Sequence, residues 1–265
     1  MPKNRGIYYT TKKNGDISYR VSITYRGKHI SLGSFSDEDT AAGVYSDARL
    51  ILDNEDIKIT DYSEKHKIPH DKFVVLINFR DNGIYFPTPI YLRKQYFEYY
   101  LTESSVLKFD RDDLFFYASH KIQKKGGYLF VSDYGSQYKI LTRYGIRPFA
   151  VYGRDYEMIN QDRLDYRYSN IRILNHYAGV TSGSVSGQTL YTAVIHINGN
   201  FIIGRYKDEV TAAIAYNKAV DLAKKSGIKK GYTQNYISGI SAMDYAGIYD
   251  SIEISAKLKD YLRTL

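Results

Sequence analysis

The sequence lacks cysteine and tryptophan altogether and has only five prolines and six histidines in 265 residues. Without cysteine the chain cannot form a disulfide bond or bind zinc through thiolates, so both are excluded. It also lacks any run of 18 apolar residues, and its first 13 residues lack the apolar stretch of a signal peptide. We therefore expect a cytoplasmic protein with no membrane partner.

Tyrosine and positive charge are what the sequence has in excess. There are 29 tyrosines and 11 phenylalanines, and the formal net charge is +8, from 37 basic and 29 acidic residues. Residues 1–35 contain seven basic residues against one acidic, and residues 116–175 contain ten against five. This modest, localised excess is compatible with a nucleic-acid partner but does not prove one. Tyrosine packs in a core or stacks on a base, and composition alone favours the core.

Two segments about 170 residues apart resemble each other, Ile17 to Ala48 and Thr189 to Ala219. Each begins with the alternation of a half-buried strand, turns at a dipeptide suited to a tight turn, and continues into a second strand and a helix. The matching positions are Tyr19, Val21 and Ile23 with Tyr191, Ala193 and Ile195 in the strands, Arg26-Gly27 with Asn198-Gly199 in the turns, and Ala41, Ala42, Tyr45 and Ala48 with Ala212, Ala213, Tyr216 and Ala219 in the helices.

The flanks of these segments complete the predicted unit. Gly6 to Tyr9 and Gly179-Val180 lie where each sheet would gain an opening strand. Ser36, with Asp39 three residues later, is the predicted start of the first helix because the pair is like a capping box. The pattern alone therefore predicts, twice, a three-stranded antiparallel sheet backed by one helix.

With these elements in place, the two segments resemble the AP2-type DNA-binding domain. The resemblance rests on the stretches Leu32 to Phe35 and Ile203 to Tyr206 and on the helices that follow them. In that family the face of the sheet opposite the helix lies in the major groove. The resemblance therefore implies double-stranded DNA as a partner of this chain.

The two copies differ on the face opposite the helix. In the first copy, polar and basic side chains there and at the edges can bond to phosphates and base edges. The predicted contacts are Arg5, Tyr9, Lys12, Lys13, Arg20, Ser22, Thr24, Arg26, Lys28 and His29. In the second copy the face is predicted to be a protein interface, because exposed valine and isoleucine suit a covered surface. Its residues are Thr192, Val194, His196, Asn200 and Ile202. A solvated surface is the alternative for either face.

The middle segment, residues 116–175, resembles the HNH endonuclease module. The resemblance rests on Asp162, on Asp165-Tyr166-Arg167 and on Asn170-Ile171-Arg172. Leu141 to Ile146 and Asp155 to Asn160 take the places of the two stretches that carry histidines in that family. Three basic residues of this segment, Arg163, Arg167 and Arg172, are predicted to hold DNA phosphates.

The chemistry of that family requires residues that this chain does not have. A histidine must take the proton from the attacking water, and oxygen or imidazole ligands must hold a divalent ion. Thr142 and Met158 occupy the two histidine positions, and a thioether takes no proton. Glu157 and Tyr166 replace an aspartate and an asparagine, and Asn170 alone keeps the family's residue type. We therefore expect a protein that is not an enzyme and that has no metal and no cofactor.

The remaining segments are less readable. Phe73 to Phe79 predicts a buried strand and Tyr91 to Leu101 a helix. The final segment, Ser251 to Leu265, predicts an amphipathic helix that either docks on its own chain or binds a partner.

Together these interpretations predict an α+β protein. Two three-stranded antiparallel sheets, each backed by one helix, flank a degenerate ββα HNH-like module. The expected domains are an AP2-like module in residues 1–55, a connecting α+β segment in 56–115, the degenerate HNH-like module in 116–175, a second AP2-like module in 176–235, and a tail in 236–265 that contains the amphipathic helix.

Three functions are compatible with this organisation. The favoured one is a non-catalytic DNA-binding protein of phage or mobile-element type, built on a homing-endonuclease-like scaffold. The alternative is a phage-encoded inhibitor that binds a host DNA-processing or anti-phage defence complex in the host cytoplasm. The apolar second face and the C-terminal helix favour it, through a protein partner or a homo-oligomer. The third is an active HNH-type nickase with relocated catalytic groups.

Overall fold

The structure is a computed structural model that describes residues 6–11 and 15–265, so Arg5, Lys12 and Lys13 lie outside the described residues. The fold is α+β, and the described part of the chain forms several small three-stranded antiparallel sheets and six α-helices. The backbone divides into two compact units. The first contains the described residues up to Ile140 together with Asp162–Asn170, and the second contains Leu141–Gln161 and Ile171–Leu265.

The first unit opens with the sheet and helix that the sequence predicts. Strands β1 (Ile7–Thr11), β2 (Ile17–Tyr25) and β3 (Lys28–Phe35) are antiparallel in the order β1-β2-β3, and helix α1 (Glu38–Asp53) follows. Arg26 and Gly27, between β2 and β3, have positive φ angles of 46° and 76°, as a type I′ turn requires. The predicted opening strand and tight turn are therefore confirmed here.

Helix α1 begins one residue later than predicted. The cap is Asp37, whose backbone is extended and whose side chain accepts a hydrogen bond from the Thr40 amide at 3.0 Å. Asp39 lies inside the helix rather than closing a capping box with Ser36. The prediction of Ser36 as the cap is wrong because aspartate at the next position satisfies the free amide equally well.

Helix α2 spans His70–Asn82, where the sequence predicted a buried strand over Phe73 to Phe79. The strand prediction is wrong because a short apolar run cannot be told from a helix that is covered on several sides. All residues from Phe73 to Arg80 are buried, and α2 packs against α1 and against the sheet that follows.

That sheet consists of β4 (Ile90–Leu92), β5 (Tyr96–Thr102) and β6 (Ser105–Asp110), paired antiparallel in chain order. The predicted helix over Tyr91 to Leu101 is therefore wrong. The segment is rich in tyrosine and phenylalanine, which favour strands, and Phe97 and Tyr99 are buried at 1% exposure.

Helix α3 (Leu114–Ser119) leads into a meander of β7 (Gln123–Lys125), β8 (Tyr128–Asp133) and β9 (Ser136–Lys139). Residues 162–170 dock on β6, where the Lys108 amide donates to the Leu164 carbonyl at 2.9 Å and Lys108 accepts from the Tyr166 amide at 2.8 Å.

The second unit begins with the antiparallel pair β10 (Tyr156–Met158) and β11 (Ile171–Ile173). After Asp165, where a ββα module would have its helix, the structure has a single 3₁₀ turn, Tyr168–Asn170, followed at once by β11. Residues 120–175 contain no α-helix after their strands, so the expected ββα order is not formed there.

The second repeat has the same order as the first. Strands β12 (Val180–Val185), β13 (Gln188–His196) and β14 (Asn200–Tyr206) form an antiparallel sheet, and α4 (Glu209–Lys225) is capped by Asp208, which accepts from the Thr211 amide at 2.7 Å. The turn differs from the prediction. His196 pairs with Asn200, which leaves a three-residue loop, and neither Asn198 nor Gly199 has a positive φ angle. The type I′ turn predicted at Asn198-Gly199 is therefore wrong.

The two repeats match in fine detail. Each opening glycine has a positive φ angle, 99° at Gly6 and 70° at Gly179, and a Cβ atom there would lie 2.4 Å or less from the ring of Tyr45 or Tyr216. Each glycine carbonyl accepts from the residue after a bulge in the second strand, Ser22 at 2.8 Å and Val194 at 2.7 Å. The resemblance between the two segments thus extends to backbone geometry, which is typical of an internal duplication.

The C-terminal residues complete the core of the second unit. Helices α5 (Ala242–Ser251) and α6 (Ala256–Arg263) follow α4, and the buried residues Ile252, Ile254, Leu258 and Leu262 join the core formed by β12–β14 and α4. Of the two alternatives for the tail, the structure has the docked one. No described helix is long and apolar enough to cross a membrane.

Candidate nucleic-acid interface

The sheet β1–β3, called here the first sheet, turns one face towards α1 and presents the other outward. Residues paired across antiparallel strands point to the same side, so the register assigns this outward face. Tyr8 pairs with Arg20, Arg20 with Ser34, and Thr24 with His29. The outward set is Tyr8, Thr10, Ser18, Arg20, Ser22, Thr24, His29, Ser31 and Ser34.

This outward face has hydrogen-bonding groups and positive charge but no carboxylate. Six of its nine residues are serine or threonine, and Arg20 is exposed and has no ion-pair partner in the described chain. Tyr8 is 63% exposed beside it. Hydroxyls, an arginine and a tyrosine can bond to phosphate oxygens and to base edges, whereas a carboxylate would repel DNA.

The structure changes the role of two residues that the sequence assigned to this face, Tyr9 and Ser22, and adds Tyr8 to it. Tyr9 pairs with Tyr19 and therefore points to the helix side, and Tyr8 takes the place expected for it. Ser22 lies at the bulge and is only 9% exposed. Tyr8 was missed because the alternation of a five-residue strand at the edge gives no reference for which side is buried.

The two basic residues of the β2–β3 turn lie at the end of the face. The Arg26 guanidinium lies 5.1 Å from the centre of the Tyr25 ring, and the Lys28 amine lies 5.0 Å from that of Tyr85. Both side chains are exposed. Resting on a ring holds a cation in place without neutralising it, so these charges remain available to phosphates.

The sheet β12–β14, called here the second sheet, has a different outward face. Its register points Thr192, Val194 and His196 outward on β13, with Asn200, Ile202 and Arg205 beside them on β14. Val194 is half-buried and Ile202 is 49% exposed.

Residues 147–155 of the same unit, called here the 147–155 loop, share a cavity of about 510 Å³ with this face. Thr181, Val194, His196 and Asn200 line it from the sheet. On the first sheet the corresponding concavity, of about 500 Å³, is lined by sheet residues with Tyr45 and Arg49 of α1. The second face is therefore partly covered by its own unit.

The residues at the five positions compared with the nuclease family have structural partners. Met158 is buried in β10, and Glu157 beside it pairs with Arg172. The Tyr166 ring stacks on Phe109, with ring centres 5.6 Å apart.

The other two positions are also held by backbone contacts. The Asn170 side-chain amide donates to the Asp165 carbonyl at 2.8 Å, and Thr142, in a 3₁₀ turn, accepts from the Gly145 amide at 3.2 Å. Among the described residues there is no group of three or more histidine, cysteine, aspartate or glutamate side chains arranged to hold a metal ion.

The arginines predicted to hold phosphates in the middle segment are largely neutralised. Arg167 donates twice to Asp165, at 2.8 and 2.6 Å, and Arg172 pairs with Glu157. Arg163 is exposed. Arg163 and Arg167 belong to the first unit and Arg172 to the second. These residues therefore offer less charge to DNA than the basic count of the segment indicated.

Comparison with protein-family models, with curated proteins and with solved structures finds no match for this chain.

Proposed function

We propose that this protein binds double-stranded DNA through the outward face of the first sheet and that it does not cut the DNA. The observation that carries the proposal is that face itself, where Arg20 is exposed and has no ion-pair partner among the described residues, Tyr8 is exposed, and no carboxylate is present. Four of its serines and threonines are at least partly exposed, namely Thr10, Thr24, Ser31 and Ser34. A sheet with its helix on the opposite face leaves the other face free for the major groove, where base edges differ most. The AP2-like pattern of the sequence supports the same use of the face.

The middle segment supports a non-catalytic role. At the positions where an HNH-like module carries its histidines, this chain has Thr142 and Met158, and Met158 is buried against its paired strand. Neither side chain takes a proton from water near neutral pH. Two AP2-like copies around such a degenerate segment resemble proteins of phages and mobile elements, and we propose that origin.

Binding measured against salt tests the proposal. Fluorescence anisotropy with a labelled duplex of mixed sequence should give a dissociation constant that rises steeply with salt, because each phosphate contact releases counterions. Two to four such contacts predict a slope of about −2 to −4 in a plot of log affinity against log salt. A dissociation constant that does not change with salt would reject phosphate contacts.

A second candidate function is binding to a protein partner through the second sheet. The observation that favours this function is Ile202, which is 49% exposed. Among the outward residues of β13 and β14 on this face, Arg205 is the only one with a full charge. Such a surface suits a covered contact better than water or phosphate. In this second candidate function, the protein is an inhibitor that binds a host DNA-processing or defence complex.

A pull-down from host lysate, treated with nuclease to remove DNA, separates the two candidates. If the second sheet binds protein, Ile202→Lys should lose the captured protein and leave DNA affinity unchanged. Leu50→Lys is the matched control, because Leu50 is equally exposed, at 55%, on α1 of the first repeat. Capture that survives Ile202→Lys would reject the second sheet as the interface.

A further inference from the structure

The cavity shared by the second sheet and the 147–155 loop is a preformed feature of the second unit. Its volume is about 510 Å³, within the usual range for sites that hold small molecules. Arg147, Arg154 and Asp155 line it from the loop, and His196 and Asn200 line it from the sheet. Both groups belong to the same compact unit.

The loop is tied to the sheet by hydrogen bonds, which gives the cavity fixed walls. The Asp155 carbonyl accepts from the Leu174 and Asn175 amides at 2.8 and 3.1 Å. The Asn175 side chain then accepts from the Ser182 amide of β12 at 2.8 Å and donates to the Arg154 carbonyl. Asn175 is buried and so connects the loop to β12 without exposure to water.

Two guanidinium groups in this cavity share one carboxylate. Asp155 is buried at 2% exposure, and its Oδ2 accepts from the Val151 amide at 2.8 Å and from Arg154 at 2.7 and 3.1 Å. Arg147 reaches only Oδ1, at 3.3 Å. The three side chains together therefore keep one net positive charge beside the cavity.

Arg147 is the group left with unmet hydrogen-bonding capacity. Its side chain is three-quarters buried, at 25% exposure, and its Nε is buried with no hydrogen-bond partner among the described residues. Burial lowers the pKa of Arg147, which reflects the cost of holding its charge away from water. The Nη1 of Arg147 makes no hydrogen bond among the described residues, and an oxyanion in the cavity can accept from it and balance the charge of the guanidinium.

The rest of the lining combines apolar side chains with hydrogen-bonding groups. Pro148, Val180 and Val194 contribute apolar surface to the cavity. His196 and Asn200 are joined at 2.8 Å through Nδ1 and Oδ1, which leaves the Asn200 amide nitrogen and the other imidazole nitrogen for a ligand. Donors at the edge of an apolar slot are the means by which proteins recognise heterocycles.

We propose that this cavity binds a phosphate monoester carried on a heterocycle, the chemistry of a nucleoside 5′-monophosphate. Arg147 would hold the phosphate, and His196 and Asn200 would bond to the edge of the base. The phosphate can come from a free nucleotide or from the 5′ end of a DNA strand. The site is separate from the outward face of the first sheet, so it does not depend on the DNA-binding proposal.

Isothermal titration calorimetry of the full chain with thymidine 5′-monophosphate tests the site. We expect the nucleotide to bind at least ten times more tightly than inorganic phosphate or thymidine alone. Arg147→Met should weaken that binding at least tenfold. Arg205→Met is the matched control, because Arg205 lies on the same sheet and does not line the cavity.

A second variant guards against misfolding of the loop when Arg147 is replaced. Val194→Phe reduces the volume of the cavity at a residue that makes none of the hydrogen bonds to Asp155, and it should also weaken nucleotide binding at least tenfold. Circular dichroism would show whether each variant remains folded. No heat of binding at millimolar nucleotide, or unchanged binding by both folded variants, would overturn the proposal. Equal affinity for phosphate and nucleotide would overturn the assignment of the heterocycle.

Competition separates the two sources of the phosphate. A 5′-phosphorylated oligonucleotide that displaces the nucleotide, while its unphosphorylated form does not, supports a strand end as the ligand. Failure of both oligonucleotides to compete supports a free nucleotide. The calorimetry uses no duplex DNA, so failure of the DNA-binding proposal would be seen separately.

Discussion

Asp155 is one residue whose ionisation organises a whole segment of the second unit. It lies at the centre of the 147–155 loop and has contacts to Arg147, Arg154 and the Val151 amide. Burial alone would raise the pKa of this carboxyl. The hydrogen bonds from Arg154 and Val151 and the nearby positive charges outweigh burial and lower the pKa below its ordinary value.

The lowered pKa predicts a specific loss of stability in acid. The carboxylate stabilises the fold fully above the ordinary pKa of an unfolded aspartate, and this contribution is lost as pH falls through the lowered folded value. Asp155→Asn should therefore lose about 3 kcal/mol near neutral pH and show less further loss below pH ~4. Urea unfolding followed by circular dichroism at several pH values measures both.

Asp260→Asn is the control for this experiment. Asp260 pairs with Arg263, but both side chains are at least 70% exposed, so this change should cost less than about 1 kcal/mol. If the two variants lost the same free energy of unfolding at neutral pH, the contacts of Asp155 would not stabilise the 147–155 loop.

The residues at the nuclease-like positions give a prediction about cleavage. Supercoiled plasmid incubated with the protein and Mg²⁺ or Mn²⁺ should remain supercoiled, because neither Thr142 nor Met158 can act as a general base. Nicking that copurifies with the protein and is lost in Asn170→Ala would contradict this. Because Asn170 is buried and bonds to the Asp165 carbonyl, a melting curve must show that the variant is folded.

Among the elements, α1 depends on an arginine from a neighbouring helix. Arg80 of α2 is 4% exposed and donates to the carbonyls of Ile51 and Asn54, at 2.8 and 2.5 Å, at the end of α1. It also donates to the Ile57 carbonyl at 2.8 Å. The last turn of α1 has no basic residue of its own. Arg80 therefore satisfies carbonyls that the end of a helix leaves without partners.

Replacing this arginine should destabilise the first unit strongly. Arg80→Met should cost about 3 kcal/mol, because several buried carbonyls would lose a charged donor. Arg49→Met, at a half-exposed position of α1 with an i,i+4 pair, should cost less than about 0.5 kcal/mol. Denaturant unfolding compares the two, and equal midpoints would contradict the role of Arg80.

Local sequence patterns predict some of the helices and strands but not others. The repeated sheet and helix are predictable because strand alternation and small residues at helical spacing both indicate the same local structure. Helix α2 and strand β5 are not, because an apolar run covered on several sides has no periodicity and aromatic residues occur in both element types. Arg80 gives no local signal either, because its carbonyl partners are 23–29 residues away.

For the whole molecule, strand alternation predicted the outward face of the first sheet. It did not predict the 147–155 loop, which shares a cavity with the outward face of the second sheet. Arg20, Thr24 and His29 are placed by strand alternation alone. The cavity of the second unit depends on contacts of Asp155 and Asn175 with distant backbone, and no sequence period records these. For the same reason, the basic residues counted in the middle segment overestimate the positive charge available to DNA. Pairs such as Arg172 with Glu157 form only in the fold.

We propose that DNA lies on the first sheet and not on the second. Arg20→Glu and Arg205→Glu make the same change in charge, each on the outward face of one repeat, so general electrostatic attraction falls equally in both. Fluorescence anisotropy with one labelled duplex at one salt concentration compares them directly. We expect Arg20→Glu to weaken DNA binding at least tenfold, which is about 1.4 kcal/mol of binding free energy. Arg205→Glu should change the affinity by less than about twofold. Equal losses in the two variants, or a larger loss in Arg205→Glu, would contradict it.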